Sequence, residues 1–328
     1  MDIGVSEPMS ADLPQRRVDV LTQAVTIVPV NDCSQWNSLL SRAVVSHLPQ
    51  SLAYGEAKRA KGWQVKRIAF AHDGDIIAVA SVLQRNLLGL PIVTRVNRGP
   101  LLLDAALPSA LIAAIYRALR RHRRGPLLIA PALPHGVEST QVLRQAGFRL
   151  RHDKGWQSAR IDLTQGEEKI WAGFASRFRN RVRQGQKSGA IVETRRDAQS
   201  YEWLLERHVE NMRDKRFTAA DPKMLRALRH QSPEDVFVLQ LCHAGEAVAG
   251  MSVVRFGSCA EYHIGWFGPQ GRKLNAGNLL MWAAIQEMHR RGVQQFDVGG
   301  LREGDGYTQF KRTMRAAEFR LAGEWMSF

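Results

Sequence analysis

The sequence predicts an α/β chain of the α+β kind, built from two tandem copies of one unit, each a mixed sheet flanked by helices. Three observations carry this. The chain has 328 residues, the length of about two domains at ~100–200 residues each. Residues 70–83 lie over residues 241–254 at an offset of 171, with five of fourteen positions identical and Asp75 opposite Glu246. Two further anchors keep nearly that spacing: Ala113-Ala114-Ile115 matches Ala283-Ala284-Ile285 at 170, and Phe148-Arg149-Leu150 matches Phe319-Arg320-Leu321 at 171. So long a period indicates a duplicated domain rather than a solenoid of short repeats.

The elements follow in order. Residues 1–30 read as a flexible tail: Asp2, Glu7, Pro8, Asp12 and Pro14 interrupt it, and no apolar stretch precedes a cleavage site as in a signal peptide. The first unit spans 31–155 and the second 156–328, the last strand being a candidate to pack back on the first unit. Each opens with two helices, over 35–47 and 52–61 in the first and 201–215 and 222–230 in the second. His72-Asp73-Gly74 and His243-Ala244-Gly245 separate runs rich in Val, Ile, Ala and Leu and read as hairpin turns. A helix follows in each copy, over 106–124 and 274–291, stopped by Gly125 and Gly292. Strands over 127–130 and 294–298 come next, then helices over 138–146 and 307–314, then closing strands near Arg149 and Phe319.

Composition sets the class of partner. Hydrophobic residues are 45% and charged residues 23%, which excludes a disordered chain, a collagen-like repeat and a disulfide miniprotein. Lys and Arg total 46 against 31 acids, a net charge of +15. That surface favours nucleic acid, an anionic membrane face or a phosphorylated substrate. Cys33, Cys242 and Cys259 have no metal-binding spacing and no even count, so they read as free thiols of a reducing compartment. No stretch reaches the ~20 apolar residues of a membrane span, the longest candidate being 107–119. These features predict a cytoplasmic protein. No Walker loop, Gly-x-Ser-x-Gly or His-Glu-x-x-His occurs, the histidines are scattered, with His122 and His289 beside arginines on helix ends, and no metal is implied.

A basic helix is predicted over 167–189, capped by Thr164. Trp171, Phe174, Phe178 and Val182 share one face, leaving Lys169, Arg177, Arg179, Arg181, Arg183 and Lys187 on the others, with no acid after Glu168. Either this is a solvated face, or the unopposed charges await an external anion such as tRNA or phosphate. A second run, Arg117, Arg120, Arg121, Arg123 and Arg124, ends the 106–124 helix, where it complements the helix dipole.

Several segments carry a resemblance. Residues 156–163, Trp171, 178–183, Tyr262-His-Ile-Gly265, 280–285, Phe296-Asp-Val-Gly-Gly300 and Phe310-Lys311 follow, in that order, the second domain of the FemABX family, peptidoglycan bridge aminoacyltransferases. Asn97-Arg98-Gly99-Pro100 resembles that family's Arg-Gly-Pro segment in the first domain. The resemblance covers about residues 35–328 and implies two tandem GNAT-like acyltransferase domains, the first on the acceptor side and the second on the donor side. The chain lacks the long helical arm of the staphylococcal-type members and sits nearer the family's distant relatives among polysaccharide and envelope genes.

The implied activity is transfer of an aminoacyl group from aminoacyl-tRNA to an amine of a peptidoglycan precursor, with no resident cofactor. The alternative is an acyl-CoA-dependent N-acyltransferase acting on an envelope polysaccharide or other amine; a third reading is a non-catalytic basic binding module. Residues 272–277, where acyl-CoA enzymes carry a glycine-rich loop, here read Arg-Lys-Leu-Asn-Ala-Gly, with Asn275 at a position that favours glycine.

By that resemblance Lys311 is the cation facing the developing oxyanion, or otherwise a surface lysine of a basic loop. Phe310 packs beside it and is placed to stack on the terminal adenine. Asp297 either caps the turn that follows or takes the proton of the attacking amine, and Gly299 and Gly300 leave room for a ligand. Asp305 reads as a helix cap ahead of Tyr307. Arg98 is expected to grip an acceptor phosphate, and Tyr262 and Trp266 either line the cleft or pack in the core. Arg213, with Lys215 and Arg216, is a candidate phosphate-binding loop or a solvated one.

Overall fold

Asp73-Gly74 and Ala244-Gly245 each take left-handed φ at both positions, 52° and 88° in the first pair and 51° and 83° in the second. Two such residues in succession make the type I′ turn, whose twist suits a two-residue β-hairpin. Both predicted hairpins form around them in the computed structural model, which describes residues 24–214, 221–304 and 306–328.

The first unit runs β1 (Thr26–Pro29), α1 (Cys33–Arg42), α2 (Leu52–Arg59), β2 (Gln64–His72), β3 (Asp75–Leu87), β4 (Leu90–Asn97), β5 (Leu101–Leu102), α3 (Ser109–His122), β6 (Leu127–Ala130), α4 (Val137–Gln145) and β7 (Arg149–His152). Then β8 (Gln157–Asp162) leads into α5 (Glu167–Gly173), α6 (Ser176–Gln186), β9 (Ile191–Arg195), α7 (Ala198–Asp214), α8 (Pro222–Gln231) and β10 (Val236–His243). The chain continues through β11 (Glu246–Phe256), β12 (Cys259–Phe267), α9 (Pro269–Lys273), α10 (Ala276–Arg290), β13 (Gln295–Asp297), α11 (Gly306–Arg312), β14 (Ala317–Arg320) and β15 (Glu324–Ser327). Among the described residues no helix is long and apolar enough to cross a membrane.

Counted by the repeat, β7 is the equivalent of β14 and β8 the equivalent of β15, and each copy lends that last strand to the other. The first sheet has the order β1-β2-β3-β4-β6-β15-β7, with β5 beside β3, and the second β14-β8-β13-β12-β11-β10-β9. Thus β8 follows β7 in the chain but lies between β13 and β14, antiparallel to both. Reciprocally, β15 lies between β6 and β7, antiparallel to both. The two connections cross at Gly155 and Gly323, where a side chain on either would collide with a backbone carbonyl, of Leu321 or His152 respectively. Glycine is required there because backbone passes directly over backbone.

Apolar layers cover both faces of each sheet. Alternation along β2 sends Ile68 and Phe70 to one face, with Tyr116, Leu119 and Trp325, and Ala69 to the other, with Trp36, Leu40 and Val79. In the second sheet one face packs on Phe174, Phe178 and Leu280. The other gathers Tyr201, Leu205 and Leu225 together with Leu48 and Ala57 of the first unit, so one core spans the two units.

Three expectations are corrected. Residues 26–29, expected within the tail, belong to the first sheet instead: β-branched Thr26, Ile27 and Val28 form an edge strand paired with β2. The single basic helix is two, α5 and α6, broken at Phe174 and Ala175. At the break the Ala175 amide leaves the helical ladder to donate to the Thr313 carbonyl at 3.0 Å. Gly166, not Thr164, caps α5, because the Thr164 amide and hydroxyl are both taken by the Asp162 carboxylate.

Candidate active site

The second sheet is irregular where the site forms. Ser252 pairs with Ile264 but Val253 pairs with Tyr262, so His263 is an extra residue in β12. Such a bulge re-aims the side chains on either side of it. Tyr262 accordingly faces the α6–α10 layer, whereas Trp266 packs on the opposite one. Trp266 stacks edge-on to Trp203 at 5.8 Å, with Arg207 over its ring at 5.5 Å. Of the two readings for Trp266, core packing is the one the structure shows, since the bulge inverts the alternation and turns it to the face opposite Tyr262.

Lys311, on α11, is 5% exposed. Its Nζ donates to the Gly300 carbonyl at 2.8 Å and lies 5.2 Å from the centre of the Tyr262 ring. The ammonium is thus turned inward, against a π face and a carbonyl. Phe310 packs beside α6, its ring 6.3 Å from that of Phe178.

The turn that presents Gly300 is held by Asp297. The Gly299 amide donates to Asp297 Oδ1 at 2.9 Å, and the Ser158 hydroxyl donates to the same oxygen. Gly299 has φ 78° and stands against Tyr262, and Gly300 packs on the Trp156 ring. Asp297 is 5% exposed. Its carboxyl serves the turn through the amide and Ser158, which matches the capping alternative rather than contact with an attacking amine. Burial, then the neighbouring Glu261 charge, pushes its pKa up to about 6, against the opposing pull of Ser158, Arg160 and the Gly299 amide.

The raised value has a signed consequence. Below the unfolded pKa of about 3.9 the carboxyl is neutral in both states. Between there and about 6 the unfolded chain ionises first, so this group's contribution to stability declines as pH rises and is lost above the folded value. Asp297→Asn keeps an oxygen for the Gly299 amide and cannot ionise. Its melting temperature relative to the wild type is expected to rise between about pH 3 and about pH 7, which lie roughly one unit outside the two values. Thermal melts read it, and a pH-independent difference would refute the assignment.

Charged groups cross between the units beneath this turn. Arg98 follows β4 with φ 48° and precedes the cis Gly99-Pro100 bond. Its Nη1 donates to buried Glu261 at 3.2 Å, and its guanidinium lies 3.7 Å from the centre of the Trp156 ring. Glu261 pairs in register with Asp297, and Asp297 with Arg160. Arg160 donates to His47 Nε2 at 3.2 Å. Burial, with Arg160 and Arg98 adding to it, holds the His47 pKa well below the usual histidine range, so the imidazole is the acceptor. His263 is likewise pushed down to about 4, by burial first and then by His208 and Arg98.

Arg98 and Trp156 also form one wall of a cavity of about 500 Å³. Lys58, Arg95 and Lys154 join them, with Tyr54 and Trp63, and among the described residues the only acid in the wall is Glu324. Glu324 is committed to Arg95 and Arg151. Burial, then Lys61, Arg95 and Arg85, lowers the pKa of Lys58. Trp156 Nε1 is buried with no hydrogen-bond partner among the described residues. The cavity wall therefore carries excess positive charge, which suits an anion. Trp156 separates it from Gly300 and hence from Lys311. Part of the Arg98 fork is already spent on Glu261, which leaves only its remaining donors for an anion in the cavity.

The basic residues of 176–187 divide. Arg179 is structural: its Nη1 donates to the Ala172 and Phe174 carbonyls and closes the end of α5. Arg177, Arg181, Arg183 and Lys187 pair with no carboxylate among the described residues, and Arg183 lies 5.7 Å from the centre of the Trp171 ring. They stand on the helix that abuts Phe310. Arg213 is exposed, 3.6 Å from the Asp214 carboxylate. Lys215, Arg216 and Asp305 lie outside the described residues.

The first turn of α10 follows Asn275, which has φ 56° and gives no side-chain cap. A Cβ on Gly277 would stand 3.6 Å from Phe310 and 3.8 Å from Phe267. Two apolar rings thus flank the turn whose amides would hold a CoA pyrophosphate, and the preceding Arg272-Lys-Leu is no glycine cradle. The residues present fit that group poorly.

Ser158, Glu261 and Trp156 are the site residues that local reading misses. Trp156 and Ser158 stand within a segment singled out by resemblance, but their roles depend on β8 crossing into the second sheet.

Residues 172–312 match a family described as acetyltransferase (GNAT) domain. Among solved structures the chain is similar to FemX, with a TM-score of 0.77 at 16% identity, covering 92% of this chain and 96% of that one. It is similar to a tandem GNAT protein from the clavulanic acid biosynthesis pathway, with a TM-score of 0.51 at 14% identity, over 92% and 98% of the two chains. It is also similar to L-PGS from Bacillus licheniformis, with a TM-score of 0.50 at 12% identity, over 90% and 91%. No curated protein matches the sequence. The architecture is a tandem pair of GNAT folds, and the stretch that matches the acetyltransferase (GNAT) description lies in the second.

Proposed function

We propose that this tandem GNAT acyltransferase moves an aminoacyl group from aminoacyl-tRNA to an amine of a cell-wall peptidoglycan precursor. One observation carries the reading: the buried Lys311 ammonium, fixed by Gly300 and Tyr262, lies across Trp156 from a cationic cavity. The acceptor's anionic portion occupies that cavity, against Lys58, Arg95, Arg98 and Lys154. Its free amine attacks the aminoacyl ester carbonyl, the carbonyl oxygen becomes negative, and Lys311 balances that charge. Collapse forms the amide, breaks the ester bond and returns a proton to the ribose oxygen of the tRNA. Asp297 and Ser158 are positioning residues: they hold the turn that holds Lys311. The cations of α6 meet the tRNA phosphates beside Phe310.

The FemX-like fold supports a muramyl-peptide acceptor, and the net charge of +15 supports the polyanionic donor. An acyl-CoA donor is the second reading, favoured by the GNAT match over 172–312. Mass spectrometry of the acceptor after incubation with aminoacyl-tRNA, or separately with acyl-CoA, decides between them. A mass gain of one aminoacyl residue, seen only with tRNA, is expected. Product with acyl-CoA alone would replace the first reading by the second.

A further inference from the structure

The β3–β4 hairpin ends in Leu87-Leu88-Gly89-Leu90, and its apolar side chains are in water. Leu87 is 61% exposed, Leu88 95%, Leu90 70% and Ile92 47%. Leu88 also occupies a left-handed turn position, with φ 50° beside Gly89 at 79°. A bulky residue disfavours that conformation, which Asn, Asp or Gly accept readily. The equivalent turn of the preceding hairpin carries Asp73 at φ 52°. At its own tip the chain thus holds a leucine that is both strained and solvated, where folding would prefer asparagine.

Cations surround this tip. Arg85 is exposed near its base, and Arg121 and Arg124 are exposed at and just past the end of α3. The arginine run is tied to the hairpin: the Thr94 hydroxyl donates to the Arg124 carbonyl at 2.8 Å. No Asp or Glu occurs in residues 84–95 or 115–127. An apolar tip within an unopposed basic rim matches a surface that is apolar beneath an anionic layer. A second copy of this chain would bring like charges together.

We propose that the β3–β4 tip docks the protein on a bilayer containing anionic phospholipid, with Leu87, Leu88, Leu90 and Ile92 entering the interface and the neighbouring arginines on the headgroups. Leu83 pairs in register with Arg95, and both line the cavity. Leu83 is five residues behind Leu88, about 17 Å along the strand. Docking there would hold the cavity close above the headgroups. The proposal stands apart from the donor and acceptor assigned above.

Co-sedimentation of the full chain with vesicles tests it. Vesicles of equal parts phosphatidylglycerol and phosphatidylcholine should bind at least ~10-fold more tightly than phosphatidylcholine alone, with the preference shrinking in high salt. The Leu88→Asn, Leu90→Gln variant should lose ~10-fold or more of that binding while melting no lower than the wild type, since asparagine suits the turn. Equal binding by the two vesicle types overturns the proposal. So does unchanged binding by the variant, which would place the contact on another basic face. Self-association in light scattering that the variant abolishes would assign the tip to a second copy instead.

Discussion

Lys311→Met lowers kcat by about 10²–10³-fold and changes KM for the acceptor little, the usual scale for removing one oxyanion donor. The reason is geometric. The ammonium is 5% exposed and already oriented by the Gly300 carbonyl and the Tyr262 face, so no reorganisation is needed when the carbonyl oxygen turns negative. Methionine preserves most of the packing volume and removes only the charge and the donor. Steady-state kinetics, with circular dichroism to show that the variant is folded, measure it. Full activity in the folded variant would remove Lys311 from the mechanism. An equal loss in kcat/KM through KM alone would make it a binding residue.

Trp325→Ala destabilises the protein by about 3–5 kcal/mol, as expected for truncating a large buried aromatic side chain. Trp325 stands close to Phe328 at the end of the chain yet is 1% exposed. It sits on β15, between β6 and β7, and belongs to the core of the first unit. Its indole Nε1 also donates to the carbonyl of Ala322, in the connection that leads into β15, at 2.7 Å. The damage should therefore appear in residues 127–152, far away in sequence. Denaturant melts with hydrogen exchange read both. Loss confined to the C-terminal residues would contradict the exchanged-strand arrangement.

The duplication is legible because its two copies can be laid over each other, and the hairpins and the order of helices and strands are legible because they are local. Period-2 alternation, paired turn residues and glycine helix stops act within a few residues of themselves. The turn at Asp73-Gly74 is one such case. The basic segment is legible as basic and amphipathic, and Phe174, Phe178 and Val182 are buried on one face. Its break is not, because the competing acceptor for the Ala175 amide is Thr313. Trp266 escapes local reading for a related reason: a β-bulge is a property of the pairing between β11 and β12, and period-2 alternation along one strand cannot reveal it.

By itself, then, the sequence determined a twice-copied α/β unit, its strong positive charge and, through the family resemblance, the Phe310-Lys311 and Asp-x-Gly-Gly segments. Tertiary structure alone decided that β8 and β15 trade places, that Asp297 holds a turn, and that Arg98 and Glu261 meet across the two units. Those outcomes depend on groups 139 to 229 residues apart, such as Ser158 with Asp297 and Arg95 with Glu324. Hydrogen bonds and ion pairs of that kind leave no periodic trace along the chain, because their partners become neighbours only once both sheets are assembled.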